Sequence, residues 1–257
     1  MRTGAARTLL SVKCMALAAL CSCMPPARGC LRSAAFTTFP LASASDRQLQ
    51  LCSIKSADGS PLETLLYRPS AAPAASAPRG AVLVLTDVYG VHDAENQEWI
   101  GAFSEAAGLP VVAPDLFRGV PWSEARFEGD TKSQAYERWR SENYLPERVV
   151  SDIACASLFA REAAGQESQE PVPLAAIGFC FGGGRLLEAI AHADLGGAIS
   201  SAVAFYPTRL QDTASARSKL SGTPVLIIQV CRLFRNPLYF CARRPCPCAD
   251  RALRAGR

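Results

Sequence analysis

The stretch that most constrains the fold is 171–193, which reads PVPLAAIGFCFGGGRLLEAIAHA. An apolar run from Val172 to Ile177 predicts a short buried strand. A glycine-rich turn, Gly178 to Gly182, follows it directly. Apolar residues then recur at helical spacing, at Leu186 and Ile190, and predict a helix. The order strand, tight turn, helix is the setting in which a reactive side chain can be held at the edge of a sheet.

The turn fits the pattern G-x-nucleophile-x-G, with Cys180 at the nucleophile position. Side chains at Gly178 and Gly182 would collide across such a turn. The turn leaves the sulfur at the N-terminus of a helix, where the dipole favours the thiolate. The alternative is a buried structural cysteine. Phosphate-binding loops are excluded, since no Lys-Ser/Thr follows the last glycine and the glycines do not space as G-x-G-x-x-G.

The charge of +4 over 257 residues comes from the two ends of the chain. Residues 1–45 carry five basic side chains and no acidic one, and 231–257 carry seven arginines and one acid. The body, 46–230, is acidic at −7. The basic ends therefore give no reason to predict a nucleic-acid partner.

The 11 cysteines divide in the same way, with three in the body: Cys52, Cys155 and Cys180. Three cysteines in a domain of this size do not make a disulfide framework, so we predict a reduced, intracellular domain. No metal or organic cofactor is expected.

The leader, 1–45, is predicted to be a disordered targeting presequence. Its apolar core, Cys14 to Met24, is too short to span a bilayer, and no membrane association of the mature form is expected. An acid-free segment follows, and the two parts together resemble the presequences of algae with secondary plastids. The alternatives are a mitochondrial presequence, or a cytoplasmic protein with a misassigned start.

The body predicts strands that alternate with helices. A hairpin is expected over Leu49–Ile54 and Leu62–Arg68, and later strands at Ala81–Leu85, Pro110–Ala113, Gly197–Ala204 and Pro224–Val230. Helices are expected over Ala94–Ala107, Lys132–Arg140 and Pro146–Ala164, and a lid loop over Val120–Thr131. This alternation predicts an α/β fold, with a mostly parallel sheet covered on both faces.

The body resembles the dienelactone hydrolase family of α/β-hydrolases from about Ser53 to about Gln229. Four stretches carry the resemblance: Asp87–Gly90, Ala113–Phe117, Lys132–Tyr136 and Gly178–Gly183. The last, with its cysteine and second glycine, is the most specific to the family. The resemblance implies cleavage of a small ester or lactone.

The resemblance also implies roles for single residues. Cys180 would attack the carbonyl to give an acyl-enzyme, and the backbone N–H groups of Val88 and Phe181 would form the oxyanion hole. Asp87 stands where the family places a carboxylate, usually Glu, against the thiol. Lys132 falls near a position where members use Arg to bind a substrate carboxylate, with Tyr136 beside it. An ordinary solvated helix face is the alternative for this last pair.

The family triad runs nucleophile, Asp, His in chain order. In this sequence no Asp follows Val230 until Asp250, and no His follows His192. His192 lies 12 residues beyond Cys180, about 18 Å along a helix at the usual rise, and cannot touch the thiol. His92 shares the rim of the sheet with Cys180 and is a weak candidate for the base.

Residues 231–257 are predicted to be a non-homologous Arg- and Cys-rich tail, in which the final strand and helix of the fold are missing. Two hypotheses remain open: a cysteine hydrolase, or a truncated scaffold without the catalytic Asp and His. A zinc or redox role for Cys246 and Cys248 is a third, although their spacing matches no usual zinc site. The substrate and the oligomeric state are not predicted.

Overall fold

The computed structural model describes residues 48–70, 80–123, 129, 131–165, 172–192, 195, 198–209 and 222–228. The predicted presequence and tail lie outside these residues. The strands are β1 (Gln48–Lys55), β2 (Pro61–Arg68), β3 (Ala81–Leu85), β4 (Val111–Pro114), β5 (Leu174–Phe179), β6 (Ser201–Phe205) and β7 (Val225–Ile228). The helices are α1 (Ala94–Ala107), α2 (Lys132–Asn143), α3 (Pro146–Ala163) and α4 (Phe181–Ala191).

The described strands form one sheet in the order β1-β2-β4-β3-β5-β6-β7. The last five in this order are parallel, and the β1–β2 hairpin adds two antiparallel strands at one side. The carboxyl ends of β3, β5 and β6 therefore lie side by side, and we call this region the carboxyl edge. In open α/β sheets ligands bind at this edge.

Helices cover both faces of the sheet, as predicted. On one face, Leu83 and Leu85 of β3 belong to a core that includes Ile153 of α3 and Leu186 of α4. On the other face, the neighbouring residues of β3 join a core with Trp99, Ile100 and Phe103 of α1. β3 is buried along its whole length, which is why its sequence is continuously apolar.

A buried carboxylate ties the hairpin to the rest of the domain. Asp152 of α3 is fully buried, and its Oδ1 accepts hydrogen bonds from Ser56 Oγ at 2.8 Å and Arg118 Nη2 at 2.6 Å. Arg118 also donates through Nη1 to Ser60 Oγ at 2.8 Å and to the carbonyl oxygen of Pro61 at 2.6 Å. The two charges join the β1–β2 turn, the loop after β4 and helix α3.

Two predicted elements, β3 and α1, have the predicted bounds. β6 begins at Ser201, later than the predicted Gly197, because its first paired residue faces Ala175 near the start of β5. β5, which leads into the glycine-rich turn Gly178–Gly182 (the elbow), extends to Phe179, past the predicted end at Ile177, because Gly178 and Phe179 pair with Ala204 and Phe205. Within the described part of the chain, no helix is long and apolar enough to cross a membrane.

Candidate active site

The backbone of Cys180 is strained. Cys180 joins β5 to α4 with φ 50° and ψ −111°, a conformation that costs an L-residue free energy and concentrates at functional sites. A Cβ added to Gly178 would lie 2.6 Å from the carbonyl oxygen of Gly182. A Cβ on Gly182 would lie 2.5 Å from the carbonyl oxygen of Thr86 and would also overlap the carbonyl oxygen of Leu85. The two glycines of the motif are therefore required by the close packing of the elbow.

Hydrogen bonds fix the elbow to both neighbouring strands. The N–H of Cys180 donates to the carbonyl oxygen of Phe205, at the end of β6, at 3.0 Å. The N–H of Gly182 donates to the carbonyl oxygen of Thr86, after β3, at 3.1 Å. The carbonyl oxygen of Cys180 accepts from the N–H of Thr208 at 3.1 Å. The thiol is thus held where the ends of three adjacent strands meet.

The Cys180 thiol is partly buried, and burial is the main reason why its pKa is raised. The charge of Asp87 also raises this pKa. Hydrogen bonds with the Thr208 side chain and with the N–H of Phe181, the first residue of α4, lower it but do not outweigh burial. The N–H of Phe181 at the helix terminus favours the thiolate, as the sequence predicts, but desolvation disfavours the charged form more strongly.

The two predicted oxyanion-hole amides both lie at the carboxyl edge, Phe181 at the start of α4 and Val88 in the loop after β3. Phe181 directs its N–H at the sulfur. Val88 lies in a turn closed by a hydrogen bond from the N–H of Gly90 to the carbonyl oxygen of Asp87 at 3.2 Å. The carbonyl of Val88 accepts from the N–H of Trp122 at 2.8 Å, so the start of the predicted lid loop fixes this turn.

Asp87 is oriented by the start of α1. Its Oδ1 accepts from Asn96 Nδ2 at 3.1 Å and from the N–H of Tyr89 at 3.1 Å. Asn96 is buried and also donates to the carbonyl oxygen of Gly90 at 2.9 Å. The carboxylate is therefore a charge of fixed orientation whose field reaches the Cys180 sulfur.

The two residues predicted to bind substrate, Tyr136 and Lys132, differ in their distance from the thiol. Tyr136 is half-buried, with its ring 5.2 Å from Trp122 and 5.5 Å from Trp139, and its hydroxyl is close enough to Cys180 for the two groups to interact electrostatically. Lys132 is the first residue of α2 and is exposed. The structure thus brings Tyr136 to the thiol and leaves Lys132 on the surface.

The two histidines of the sequence have other positions. His92, the weak candidate for the base, is exposed, and its imidazole contacts the carboxylate of Glu63 on β2. His192 is the C-terminal capping residue of α4, at the opposite end of that helix from Cys180, as the sequence predicts.

The loop after β6 contributes residues to the site that the sequence patterns did not indicate. Thr208 Oγ1 lies 4.0 Å from Cys180 Sγ. Tyr206 has a pKa raised by burial first, and then by the charges of Asp87 and Cys180. Arg209 places its guanidinium carbon 5.5 Å from the centroid of the Tyr136 ring. One signal could have revealed this loop: Phe205-Tyr206-Pro207 ends a buried parallel strand next to the elbow strand, so the following residues must emerge at the same edge.

Backbone strain marks the same loop. Among the described residues, the non-glycine residues with positive φ are Arg118, Cys180, Tyr206 and Arg209, and three of these four lie at the carboxyl edge. Such strain persists only where the surrounding structure enforces it. Among the described residues no group of three or more His, Cys, Asp or Glu side chains is placed to hold a metal ion.

The sequence and the fold were compared with those of known proteins. The sequence model of the dienelactone hydrolase family matches residues 62–230, more than half of the chain. A solved structure assigned as a dienelactone hydrolase, from Klebsiella pneumoniae subsp. pneumoniae, has a TM-score of 0.52 and 20% identity, over 70% of this chain and 71% of that one. No curated protein sequence matches the chain.

Two further solved structures are similar to the chain. The dienelactone hydrolase of Anabaena variabilis is 17% identical over 72% of this chain and 74% of its own, with a TM-score of 0.48. A dienelactone hydrolase-like promiscuous phosphotriesterase from metagenomic libraries, P91, is 20% identical over 72% of this chain and 70% of its own, also with a TM-score of 0.48. The α/β-hydrolase fold is confirmed by the family match and by the Klebsiella structure, whose likeness at 20% identity speaks for the fold alone. The chain belongs to the dienelactone hydrolase family, a membership that supports a hydrolase of the ester or lactone type.

Proposed function

We propose that the protein cleaves a small ester or lactone through a covalent acyl-enzyme on Cys180. One observation carries the proposal: a strained elbow presents the Cys180 sulfur at the carboxyl edge, with the N–H of Phe181 directed at it. Nucleophiles of acyl transfer need this combination, because a donor must already stand beside the carbonyl that is attacked.

The chemistry follows from these positions. The sulfur attacks the carbonyl carbon, and the carbonyl electron pair moves to oxygen, where the N–H groups of Phe181 and Val88 would stabilise the charge. Collapse of this intermediate breaks the bond to the leaving oxygen, which takes up a proton in place of the one that the thiol has lost, and gives a thioester on Cys180. Water then hydrolyses the thioester and regenerates the thiol. In a lactone the leaving oxygen stays attached to the acyl chain.

The reaction requires that the thiol of Cys180 loses its proton. Burial and Asp87 raise the pKa of the Cys180 thiol and so favour the thiol over the thiolate. Attack therefore needs a base, whereas His92 contacts Glu63 and His192 lies at the far end of α4 from Cys180. This observation favours a second candidate function, a scaffold that binds acyl compounds without turning them over.

The test uses the 257-residue chain with 4-nitrophenyl acetate, and follows both nitrophenol release and the mass of the protein. We expect an acetyl adduct on the peptide containing Cys180 and its loss in Cys180→Ala. Cys155→Ala is the matched control, because Cys155 is a partly buried thiol on α3, outside the site. An adduct of the same yield in Cys180→Ala would contradict the proposal.

The two candidate functions, hydrolase and non-catalytic scaffold, predict different nitrophenol release after the first turnover. Steady release of nitrophenol beyond one equivalent, absent in Cys180→Ala, supports the hydrolase. A stable adduct without further release supports the non-catalytic scaffold.

A further inference from the structure

Helix α4 carries a buried arginine in its second turn, close behind the elbow. Arg185 is 2% exposed, and arginine is rarely buried to this extent unless it is paired. Its Nη2 donates to Glu188 Oε1, on the same helix, at 2.6 Å. Buried ion pairs often add little to stability compared with apolar side chains of similar size. A role other than stability is therefore expected for this arginine.

Two aromatic rings hold the guanidinium of Arg185 in place. Its central carbon lies 4.5 Å from the centroid of the Tyr144 ring and 5.3 Å from that of Phe181. The two rings meet edge to face, with their centroids 5.5 Å apart. Tyr144 caps the C-terminus of α2, and its hydroxyl donates to Glu188 Oε2 at 3.0 Å. The guanidinium is thus fixed against both the end of α2 and the first residue of α4.

The same guanidinium reaches the loop after β6. Its Nη2 also donates to the carbonyl oxygen of Arg209 at 2.9 Å. Arg209 and Tyr206 both have positive φ, a conformation that a non-glycine residue keeps only when its surroundings enforce it. The hydrogen bond from Arg185 is one of the contacts that can enforce it, since it fixes the main chain of this loop.

Thr208 lies in this loop and contacts the thiol. Its N–H donates to the carbonyl oxygen of Cys180 at 3.1 Å, and its hydroxyl lies 4.0 Å from the sulfur. A Cβ on Gly184 would overlap the carbonyl oxygen of Thr208, so α4 and the loop also touch through their main chains. At 4.0 Å the hydroxyl and the sulfur are near the limit of a hydrogen bond. A small displacement of the loop would therefore end this contact.

We propose that Arg185 is a positioning residue, which holds the loop after β6 so that the hydroxyl of Thr208 stays beside the attacking sulfur. The inference rests on the proposed function in that Cys180 is the attacking group. Arg185 acts through Thr208, whose hydrogen bond lowers the pKa of the Cys180 thiol. Loss of the guanidinium should therefore raise this pKa, although the site keeps all its other side chains.

The test follows the alkylation of Cys180 by iodoacetamide against pH, on the peptide that contains this residue. Only the thiolate reacts, so the midpoint of the rate reports the thiol pKa without any turnover. Thr208→Val removes the hydroxyl and should raise the midpoint by about half a pH unit, the scale of one weak hydrogen bond. Arg185→Met should raise it by a similar amount. The variant that combines the two should shift no further than Thr208→Val, because both substitutions remove the same contact.

The combined variant also separates this route from other charges at the site. Asp87 after β3, Tyr136 of α2 and Tyr206 after β6 interact electrostatically with the sulfur, and the side chain of Arg209 lies over Tyr136. None of these four side chains is substituted. A midpoint that changes because one of them has moved would add to the shift of Thr208→Val, whereas loss of the Thr208 contact would not.

Arg161→Met is the matched control. Arg161 is a partly buried arginine of α3 that donates to the carbonyl oxygen of Ala198, which precedes β6 at the opposite edge of the sheet. Its loss should lower the free energy of unfolding and leave the midpoint unchanged. Arg185→Met combined with Glu188→Met leaves neither charge of the pair behind, and should show the midpoint shift even if Arg185→Met alone does not fold.

An unchanged midpoint in Arg185→Met, or shifts that add in the combination with Thr208→Val, would overturn the proposal. An equal shift in Arg161→Met would do the same, since any loss of an anchoring arginine would then alter the thiol. Failure of the proposed function gives a different result. If 4-nitrophenyl acetate leaves no adduct on Cys180 while the midpoints move as expected, the hydrolase is rejected and the positioning role of Arg185 remains.

Discussion

Cys180 combines a strained backbone with a thiol that its surroundings keep protonated. The backbone brings the sulfur to the carboxyl edge, while burial and Asp87 raise its pKa. Thr208 and the N–H of Phe181 act in the opposite direction. Position and reactivity are thus set by different groups, and a single substitution can change one of them alone.

The reactivity of the thiol should depend on Asp87. Alkylation by iodoacetamide requires the thiolate, so a raised pKa shifts the midpoint of the rate against pH upward. Asp87→Asn removes a negative charge that raises this pKa, and the midpoint should fall. The measurement is the alkylation rate at Cys180 between about pH 7 and about pH 11, a range moved upward from that of an ordinary thiol because the pKa of Cys180 is raised.

Glu95→Gln is the control for this prediction. Glu95 is exposed in the first turn of α1 and loses the same charge. A midpoint that stays in place or rises in Asp87→Asn, relative to Glu95→Gln, would show that the carboxylate does not act on the sulfur.

At the scale of elements, the site depends on how closely α4 approaches β3. The Gly182 position has no room for a side chain, because backbone carbonyls of Leu85 and Thr86 fill the space that a Cβ would need. Backbone atoms cannot rotate away as a side chain could. The elbow and the end of β3 must therefore move apart if this glycine is replaced.

We expect Gly182→Ala to destabilise the protein by about 3 kcal/mol, at the upper end of what overpacking costs. Gly119→Ala is the matched control, since a Cβ there meets open space and only the positive φ of 80° opposes it. That substitution should cost about 1 kcal/mol. Urea denaturation measures the free energy of unfolding of both variants. Equal losses of this free energy would mean that a Cβ at position 182 is not crowded by the end of β3.

Helix α2 carries Tyr136 and Glu137, and its start is fixed by a capping box. Thr131 Oγ1 accepts from the N–H of Gln134 at 3.3 Å, and the Gln134 side chain accepts from the N–H of Thr131 at 3.0 Å. Thr131→Ala should cost about 1 kcal/mol of the free energy of unfolding. Ser133→Ala, two residues on and exposed, should change it by less than about 0.5 kcal/mol. Equal effects in urea denaturation would count against the cap.

Much of the fold follows from the sequence because its signals are local. β3 is apolar throughout, and α1 begins after Asp93, whose side chain accepts from the N–H of Asn96 and caps the helix. The place of Arg209 could not be found in this way, because its contacts are with Tyr136 and Arg185, which are distant in sequence. The direction of the net pKa shift of Cys180 could not be predicted either, since burial is a property of the assembled domain.

At the scale of the whole molecule, the ion pair between the buried Asp152 and the partly buried Arg118 ties the hairpin to the rest of the domain. The pair connects the turn between β1 and β2 to α3. Removal of one partner leaves the other charge without compensation.

Asp152→Ala should therefore destabilise the protein by about 3–5 kcal/mol. Asp58→Ala removes a carboxylate from the exposed turn of the same hairpin and should cost less than about 1 kcal/mol. Thermal and urea unfolding of both variants provide the comparison. A loss in Asp152→Ala no larger than that in Asp58→Ala would mean that the pair does not hold the hairpin.

The structure of the elbow allows the attacking group at position 180 to change during evolution. Its strain and its close contacts involve the main chain and two glycines, and they do not depend on which atom ends the side chain at position 180. A thiol and an alcohol differ there by one atom, so a single codon change can exchange one attacking group for the other. The nucleophile at this position can therefore change while the main-chain conformation and the two glycines that the elbow requires stay the same.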